Sequence, residues 1–309
     1  MPQLHCISLK TGERISMPEK TFLCLGNFDG VHLAHRALLE LARKNRERLC
    51  PDAAVGVFCF RQLPARFLSA DFQGRLCTPR ERLERYRDCG MEIAILAEFE
   101  ELRAFSPEAY LKDVLINSCH AVAVACGFNH RFGKNGAGDV ALLTRTFGER
   151  LCVQEAVTLD GAAVSSSRIR DLLQEGRAEE AARLLTVPYC VTAPVLHGKA
   201  LGRKMGTPTV NQQFPADAVI PRRGVYVTEC TVGGKIYRGV TNVGVRPTVE
   251  DDGRINFETY LLDFAGDLYD ADLTVHFLKF LRDERKFESA EALWEQIRGD
   301  IASARAYLG

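Results

Sequence analysis

The sequence predicts two domains of unlike architecture. Residues 1–186 read as an α/β domain with a doubly wound parallel sheet, and residues 187–309 as a small antiparallel β-barrel with a terminal helix. Three observations carry this. Short, continuous apolar runs alternate with helix-period segments through the first part, the pattern of strands buried on both faces. Beyond Pro188 the strand-like runs are joined by tight turns, with few long helical periods. A length of 309 residues suits two domains better than one.

Taken in order, Thr21–Leu25 is an apolar run and reads as a buried strand. The turn Gly26-Asn27-Phe28-Asp29-Gly30 follows, then a helix whose apolar residues Leu33, Ala34, Ala37, Leu38 and Leu41 keep helical spacing to about Leu49. Ala53–Phe60 is the next strand. Thr78-Pro79 opens a helix with Pro in its first turn, and Glu92–Ala97 is a third strand. Ser106-Pro107-Glu108 caps and starts another helix, and Ala121–Cys126 is a fourth strand. A glycine-rich loop, residues 127–139, leads on to Val164-Ser165-Ser166-Ser167, where hydroxyls cap a helix that Gly176 ends. A short helix, Ala178–Leu185, precedes the boundary at Thr186-Val187-Pro188. In the second domain Val232-Gly233-Gly234-Lys235 marks a hairpin between residues 224–230 and 236–240. Residues 256–264 and 272–280 read as further strands. The closing helix carries the stripe Leu293, Ile297, Ile301, Ala304, Leu308, expected to pack on the barrel.

Composition narrows the function. Forty basic and forty acidic residues cancel, which argues against a bulk electrostatic nucleic-acid binder. No run approaches the roughly 18 apolar residues of a membrane helix, so no membrane association is expected. The N-terminus shows no secretory leader. Eleven cysteines are scattered without a Cys-x-x-Cys pair, which weakens a zinc reading and suggests free thiols in a reducing, cytoplasmic compartment.

Three stretches carry chemistry. The strand-to-helix turn at residues 26–35 ends in His32 and His35, set in the first helical turn. There, unpaired N–H groups and the positive end of the helix dipole favour an anion, and imidazoles can donate to phosphate oxygens. The loop at residues 127–139 combines four glycines with Arg131 and Lys134, which would let backbone and charge approach phosphate. The stretch 197–211 combines three glycines with Arg203 and Lys204. Its Thr209 and Asn211 point to one face of an extended chain and offer hard oxygen donors of the kind Mg²⁺ accepts.

These stretches resemble a known family. Gly26–His35 is similar to the HxGH signature of the nucleotidyltransferases. Within it, Gly-Asn-Phe-Asp-Gly-Val-His resembles the adenylyltransferase half of the prokaryotic bifunctional riboflavin kinase/FMN adenylyltransferases, or FAD synthetases. Val164–Arg170 resembles the family's ISSTxIR motif, and Gly127–Gly133 its G-x-[DN]-[aromatic]-x-F-G pattern. His197–Asn211 matches the riboflavin kinase pattern H-G-x3-G-R-x2-G-x-P-T-x-N at every fixed position. Residues 239–248 and 257–264 also look like that kinase.

The resemblance implies a Rossmann-like nucleotidyltransferase domain joined to a riboflavin kinase barrel. The barrel would phosphorylate riboflavin to FMN with ATP, and the first domain would adenylylate FMN to FAD, releasing pyrophosphate. It implies Glu258 as base for the ribityl hydroxyl, with Thr209 and Asn211 holding Mg²⁺ brought with ATP. It implies His32 and His35 bracketing the reacting phosphate, and Gly26, Asn27, Asp29, Ser166, Ser167, Arg170, Gly202, Arg203, Lys204 and Gly206 on ATP or its phosphates. Asn129, Arg131 and Phe132 would meet flavin. Flavins enter as substrate and product.

The chain also departs from the pattern. Ala34 stands where the family has Gly. Phe60-Arg61-Gln62-Leu63-Pro64 lacks the family's Pro-His-Pro element, leaving Arg61 either as its electrostatic substitute or as a solvated loop charge. Asp270 replaces a Gly after the Tyr of the Asp-Leu-Tyr element. A kinase whose first domain only binds nucleotide or flavin is therefore the alternative.

Overall fold

The computed structural model describes residues 4–10, 16–196, 209–245 and 255–307. Two compact units divide them. One comprises Met1–Phe72 and Thr78–Ser166; the other comprises Gln73–Cys77 and Ser167–Gly309. Residues 167–185, read from the sequence with the first domain, thus group with the barrel.

In the first unit six parallel strands form one sheet: β1 (His5–Leu9), β2 (Thr21–Leu25), β3 (Ala54–Phe60), β4 (Ile93–Ala97), β5 (Ala121–Gly127) and β6 (Leu151–Gln154), in the order β1-β4-β3-β2-β5-β6. The sheet is wound on both faces. Along β2, Phe22 and Cys24 enter one apolar core, and Leu23 and Leu25 the other. All five β2 residues are buried, which is why the run shows no alternation. The helices α1 (Leu33–Leu49) and α2 (Pro79–Asp88) serve the first core. Thr78 and Glu81 close a reciprocal capping box at the head of α2. A wide helical segment, Tyr110–Ser118, and α3 (Val140–Phe147) serve the second core. The edge strands β1 and β6 were not foreseen, nor was the small ribbon β7 (Thr158–Leu159) and β8 (Ala162–Ala163).

Strand order reverses at β2, with β3 on one side and β5 on the other. Ligands of such sheets bind beyond the carboxyl ends at this switch point. The loops that leave β2 and β5 there are Gly26–His32 and the glycine-rich loop after Gly127.

The second unit opens at Ser167, the second residue of α4 (Ser166–Gln174), and continues with α5 (Ala178–Leu185). Its six antiparallel strands are β9 (Tyr189–Pro194), β10 (Thr209–Gln213), β11 (Gly224–Val232), β12 (Lys235–Val245), β13 (Ile255–Leu261) and β14 (Asp272–Arg282), in the order β10-β13-β12-β11-β14-β9. The Val232/Lys235 hairpin forms as expected. The sheet curls until its edges meet: Leu196 bridges Asn211, its N–H donating to that carbonyl at 2.7 Å. Inside lie Tyr189, Phe214, Tyr226, Phe257 and Phe277 in mutual ring contact. A buried ladder of hydroxyls, Thr228, Thr241 and Thr259, joins three strands at 2.8 Å per step. Gln73–Cys77 is stitched to this unit. Arg75 N–H donates to Asp217 O, its guanidinium pairs with the Asp217 carboxylate at 2.9 Å, and Val219 N–H donates to Arg75 O.

The terminal helix α6 (Ala290–Ala306) is capped by Ser289. It packs against the outer face, where Val227, Val240, Tyr260 and Leu278 meet Ile301 and Ala304. It is pinned by a buried ion pair, Arg282 to Asp300 at 2.8 Å, which Gln296 joins. Leu308 lies outside the described residues.

Candidate active sites

In the first unit the turn after β2 is held open by unusual backbone. Phe28 and Val31 have φ of 52° and 43°, and Gly30 has φ 81°. Phe28 tolerates this conformation because its ring is fully buried against Tyr86 and His35. His32 caps α1: its Nδ1 accepts from the His35 N–H at 3.4 Å, which leaves the proton of the neutral ring on Nε2. The two rings stack, 3.6 Å between centroids and 13° between planes. His32 is 4% exposed, and His35 is half-buried with its Nδ1 making no hydrogen bond. Burial, then the neighbouring His32, holds the His35 imidazole well below its ordinary 6.5. The stacked pair places two imidazoles at a helix head, with His35 held toward its neutral form.

Three side chains tie the turn down. Ser166 Oγ donates to Asp29 O at 3.0 Å. Arg85 donates to Gly30 O at 2.6 Å, and Arg82 to Asn27 O at 3.2 Å. Sequence reasoning singles out neither arginine. Their signal was the spacing of three, which turns both toward the same neighbour. Gly26 and Asn27 sit at the strand end. A Cβ on Gly26 would come within 3.2 Å of the Phe28 ring. Arg61 is committed elsewhere, to Glu98 at 2.7 Å and Ser8 at 2.9 Å, as a tied surface charge.

In the loop after β5, Asn129 and Arg131 are exposed, and Arg131 lies 3.8 Å from Asp139. Phe132 differs from them. Its ring is buried against Tyr110 and His130 and lies over Gly138, where a Cβ would meet it at 2.5 Å. What Phe132 does for the loop is anchor it. Beside Asn129, Phe128 is half exposed, and Phe67, also exposed, stacks on Phe99; neither was foreseen.

In the second unit, Ser167 is exposed at the head of α4, and Arg170 Nε donates to Gly74 O at 2.7 Å. The barrel residues come together by register. Asn211 pairs with Glu258, and Glu258 with Asn242; Thr209 pairs with Tyr260. Cross-strand partners share a face, so Thr209, Asn211, Glu258, Tyr260 and Asn242 stand together. That face is the outer one, under α6, since Phe257 and Thr259 turn inward. A cavity of about 440 Å³ opens there, lined by Thr209, Asn242, Glu258, Tyr260 and the α6 residues Leu293 and Ile297. Glu284 enters it too, accepting from Asn242 Nδ2 at 3.1 Å and closing the space over Gly244. The Arg282 and Arg285 guanidinium groups both lie over the Phe287 ring, 5.7 and 4.8 Å from its centroid. Gly202, Arg203, Lys204 and Gly206 lie outside the described residues.

Among the described residues no group of three or more His, Cys, Asp or Glu could hold a metal ion. The cysteines are free thiols, most of them buried. Burial pushes Cys126 up to about 12, which leaves it an inert core residue.

Two family models match the chain, FAD synthetase over residues 14–168 and riboflavin kinase over residues 185–308. The chain is 36% identical over 286 residues to the bifunctional riboflavin kinase/FMN adenylyltransferase of Pseudomonas fluorescens, with 91% of each chain covered. It is 34% identical over 298 residues to the enzyme of that name from Escherichia coli strain K12, with 94% of each covered. The Bacillus subtilis strain 168 enzyme is 33% identical over 94% of this chain and 93% of its own. The crystal structure of a macrolide-efflux protein from Streptococcus pneumoniae superposes with a TM-score of 0.87 at 27% identity, covering 98% of this chain and 99% of that one. Among the described residues no helix is long and apolar enough to cross a membrane.

Proposed function

The chain belongs to the family of bifunctional riboflavin kinases/FMN adenylyltransferases, and from that premise we propose that residues 187–309 convert riboflavin and MgATP to FMN and residues 1–186 convert FMN and ATP to FAD. The observation that carries the kinase reading is the register pair Asn211–Glu258 beside Thr209, at the wall of a cavity large enough for a ring system. Glu258 takes the proton of the ribityl hydroxyl as its oxygen attacks the γ-phosphorus. The bond to the β-phosphate oxygen breaks, and ADP leaves.

Thr209 and Asn211 suit an ion that arrives on the triphosphate. They offer neutral oxygens, and Mg²⁺ commonly keeps few protein ligands besides phosphate and water. When bound, the ion screens the triphosphate charge. Gly202, Arg203, Lys204 and Gly206 complete the phosphate cradle in this reading.

For adenylyl transfer, a phosphate oxygen of FMN attacks the α-phosphorus of ATP. The α–β bridging bond breaks, and pyrophosphate leaves with the electron pair. His32, through Nε2–H, and His35 donate to the phosphate as charge builds on it. Gly26, Asn27, Asp29 and Ser166 take the triphosphate, Ser167 and Arg170 carry a phosphate-binding role by motif alone, and Asn129 and Arg131 meet flavin on a loop anchored by Phe132. The enzyme works in the cytoplasm on small molecules, without nucleic acid.

Purified protein given riboflavin and MgATP tests this. FMN and FAD together are expected on chromatography. FMN alone means that the first domain only binds, and neither product rejects the reading.

A further inference from the structure

We propose that Arg82 is a positioning residue for adenylyl transfer, a role that rests on the adenylyltransferase reading above. It fixes the spacing of two adjacent strand ends and, through it, the place of His32. The β2–β3 pairing runs from Thr21/Ala54 to Leu25/Phe58, and Gly26 N–H still reaches Phe58 O at 3.4 Å. Past that point the strands part and the crevice begins. Arg82 spans the parting. Its guanidinium donates to Asn27 O at 3.2 Å on one side, and to Phe60 O at 2.8 Å and Arg61 O at 3.2 Å on the other.

Arg82 as a whole is only 4% exposed. Three of the five guanidinium donors go to these carbonyls, and a planar fork can hold several carbonyls at fixed angles. Arg85, one turn on, adds its bond to Gly30 O at 2.6 Å, so α2 grips the turn at two places. The capping box at Thr78 and Glu81 fixes where α2 starts and so where both arginines reach.

The span between Asn27 and Phe60 sets the width of the crevice. His32 lies five residues past Asn27, on a strained turn that Arg85 and Ser166 hold at Gly30 and Asp29, while Arg82 alone of the three ties its start to the end of β3. A displacement of about 1 Å at a reacting group costs on the order of 10²-fold in rate. Loss of the bridge should therefore act on the chemical step and leave ground-state binding in place.

The test compares FAD formation from supplied FMN and ATP in wild type, Arg82→Gln and Arg82→Lys, with melting temperatures measured alongside. Wild type is measured first; if it makes no FAD, the adenylyltransferase reading fails and this proposal with it. Given wild-type activity, Arg82→Gln should lower kcat roughly 10²-fold with KM for ATP and FMN within about twofold. Arg82→Lys, whose three ammonium donors can still reach the carbonyls, should recover most of that loss. Wild-type kcat in Arg82→Gln overturns the proposal. So does a change confined to KM, or a loss in both variants that follows a fallen melting temperature.

Discussion

His32 and His35 lie ring on ring, 3.6 Å apart, at the head of α1. Two imidazoles in that contact cannot both carry a proton, and burial already holds His35 well below 6.5. The unfolded chain takes up that proton as pH falls through about 6.5, and the folded chain does not. Stability is therefore full above 6.5 and declines below it. His130, lowered by burial to about 4, adds a loss of the same sign between 6.5 and about 4. Urea denaturation at about pH 7.5 and pH 5.5 should show a lower midpoint at the acid value, and His35→Asn should narrow the difference to the part that His130 contributes.

Glu258 faces Asn211 across one strand pair. Glu258→Gln keeps the shape and removes the base. FMN formation should fall by on the order of 10²-fold or more, while FAD formation from supplied FMN stays at the wild-type rate. Product chromatography from each substrate separates the two. An equal loss in both reactions would mean that the two sites are not separate.

The Arg282–Asp300 pair holds α6 on the barrel, with side chains 20% and 6% exposed. Asp300→Ala leaves a mostly buried guanidinium without its carboxylate, a change that costs about 3–5 kcal/mol. Because α6 roofs the cavity beside Glu258, riboflavin phosphorylation should be lost at a lower urea concentration than adenylyl transfer. Activity measured in graded urea checks this.

Ala34 is the second residue of α1, between the two histidines. Ala34→Gly costs the helix up to about 1 kcal/mol. If its methyl stands where a nucleotide base must come, relief of about 1 kcal/mol raises kcat/KM for ATP roughly fivefold. Stability and FAD synthesis should thus move in opposite directions, read by calorimetry and by initial rates.

Most of this fold is legible in the chain because its strands are buried on both faces. Thr21–Leu25 and Ala121–Cys126 read as continuous apolar runs, and strands form over Thr21–Leu25 and Ala121–Gly127. β1 escaped because it is an edge strand with only Leu9 buried, so His5, Cys6 and Ser8 carry no pattern. β6 is four residues long and half-buried. The meeting of Glu258, Thr209 and Asn211 was implied by motif and alternation. That it lies under α6 instead of within the barrel follows from Phe257 and Thr259, whose inward turn depends on neighbours far away in sequence. Arg82 shows the limit: in the one-dimensional pattern a charge on a helix is solvent surface, and only its three carbonyl partners say otherwise.

Gln73–Cys77 departs from one unit to join the other, carrying Arg75 to Asp217 and its carbonyl to Val219. A gene severed anywhere between residues 166 and 187 would therefore yield a barrel fragment stripped of five residues that finish its wall. Independent life for that half demands either a grafted replacement for the strap or new side chains to cover what it leaves bare.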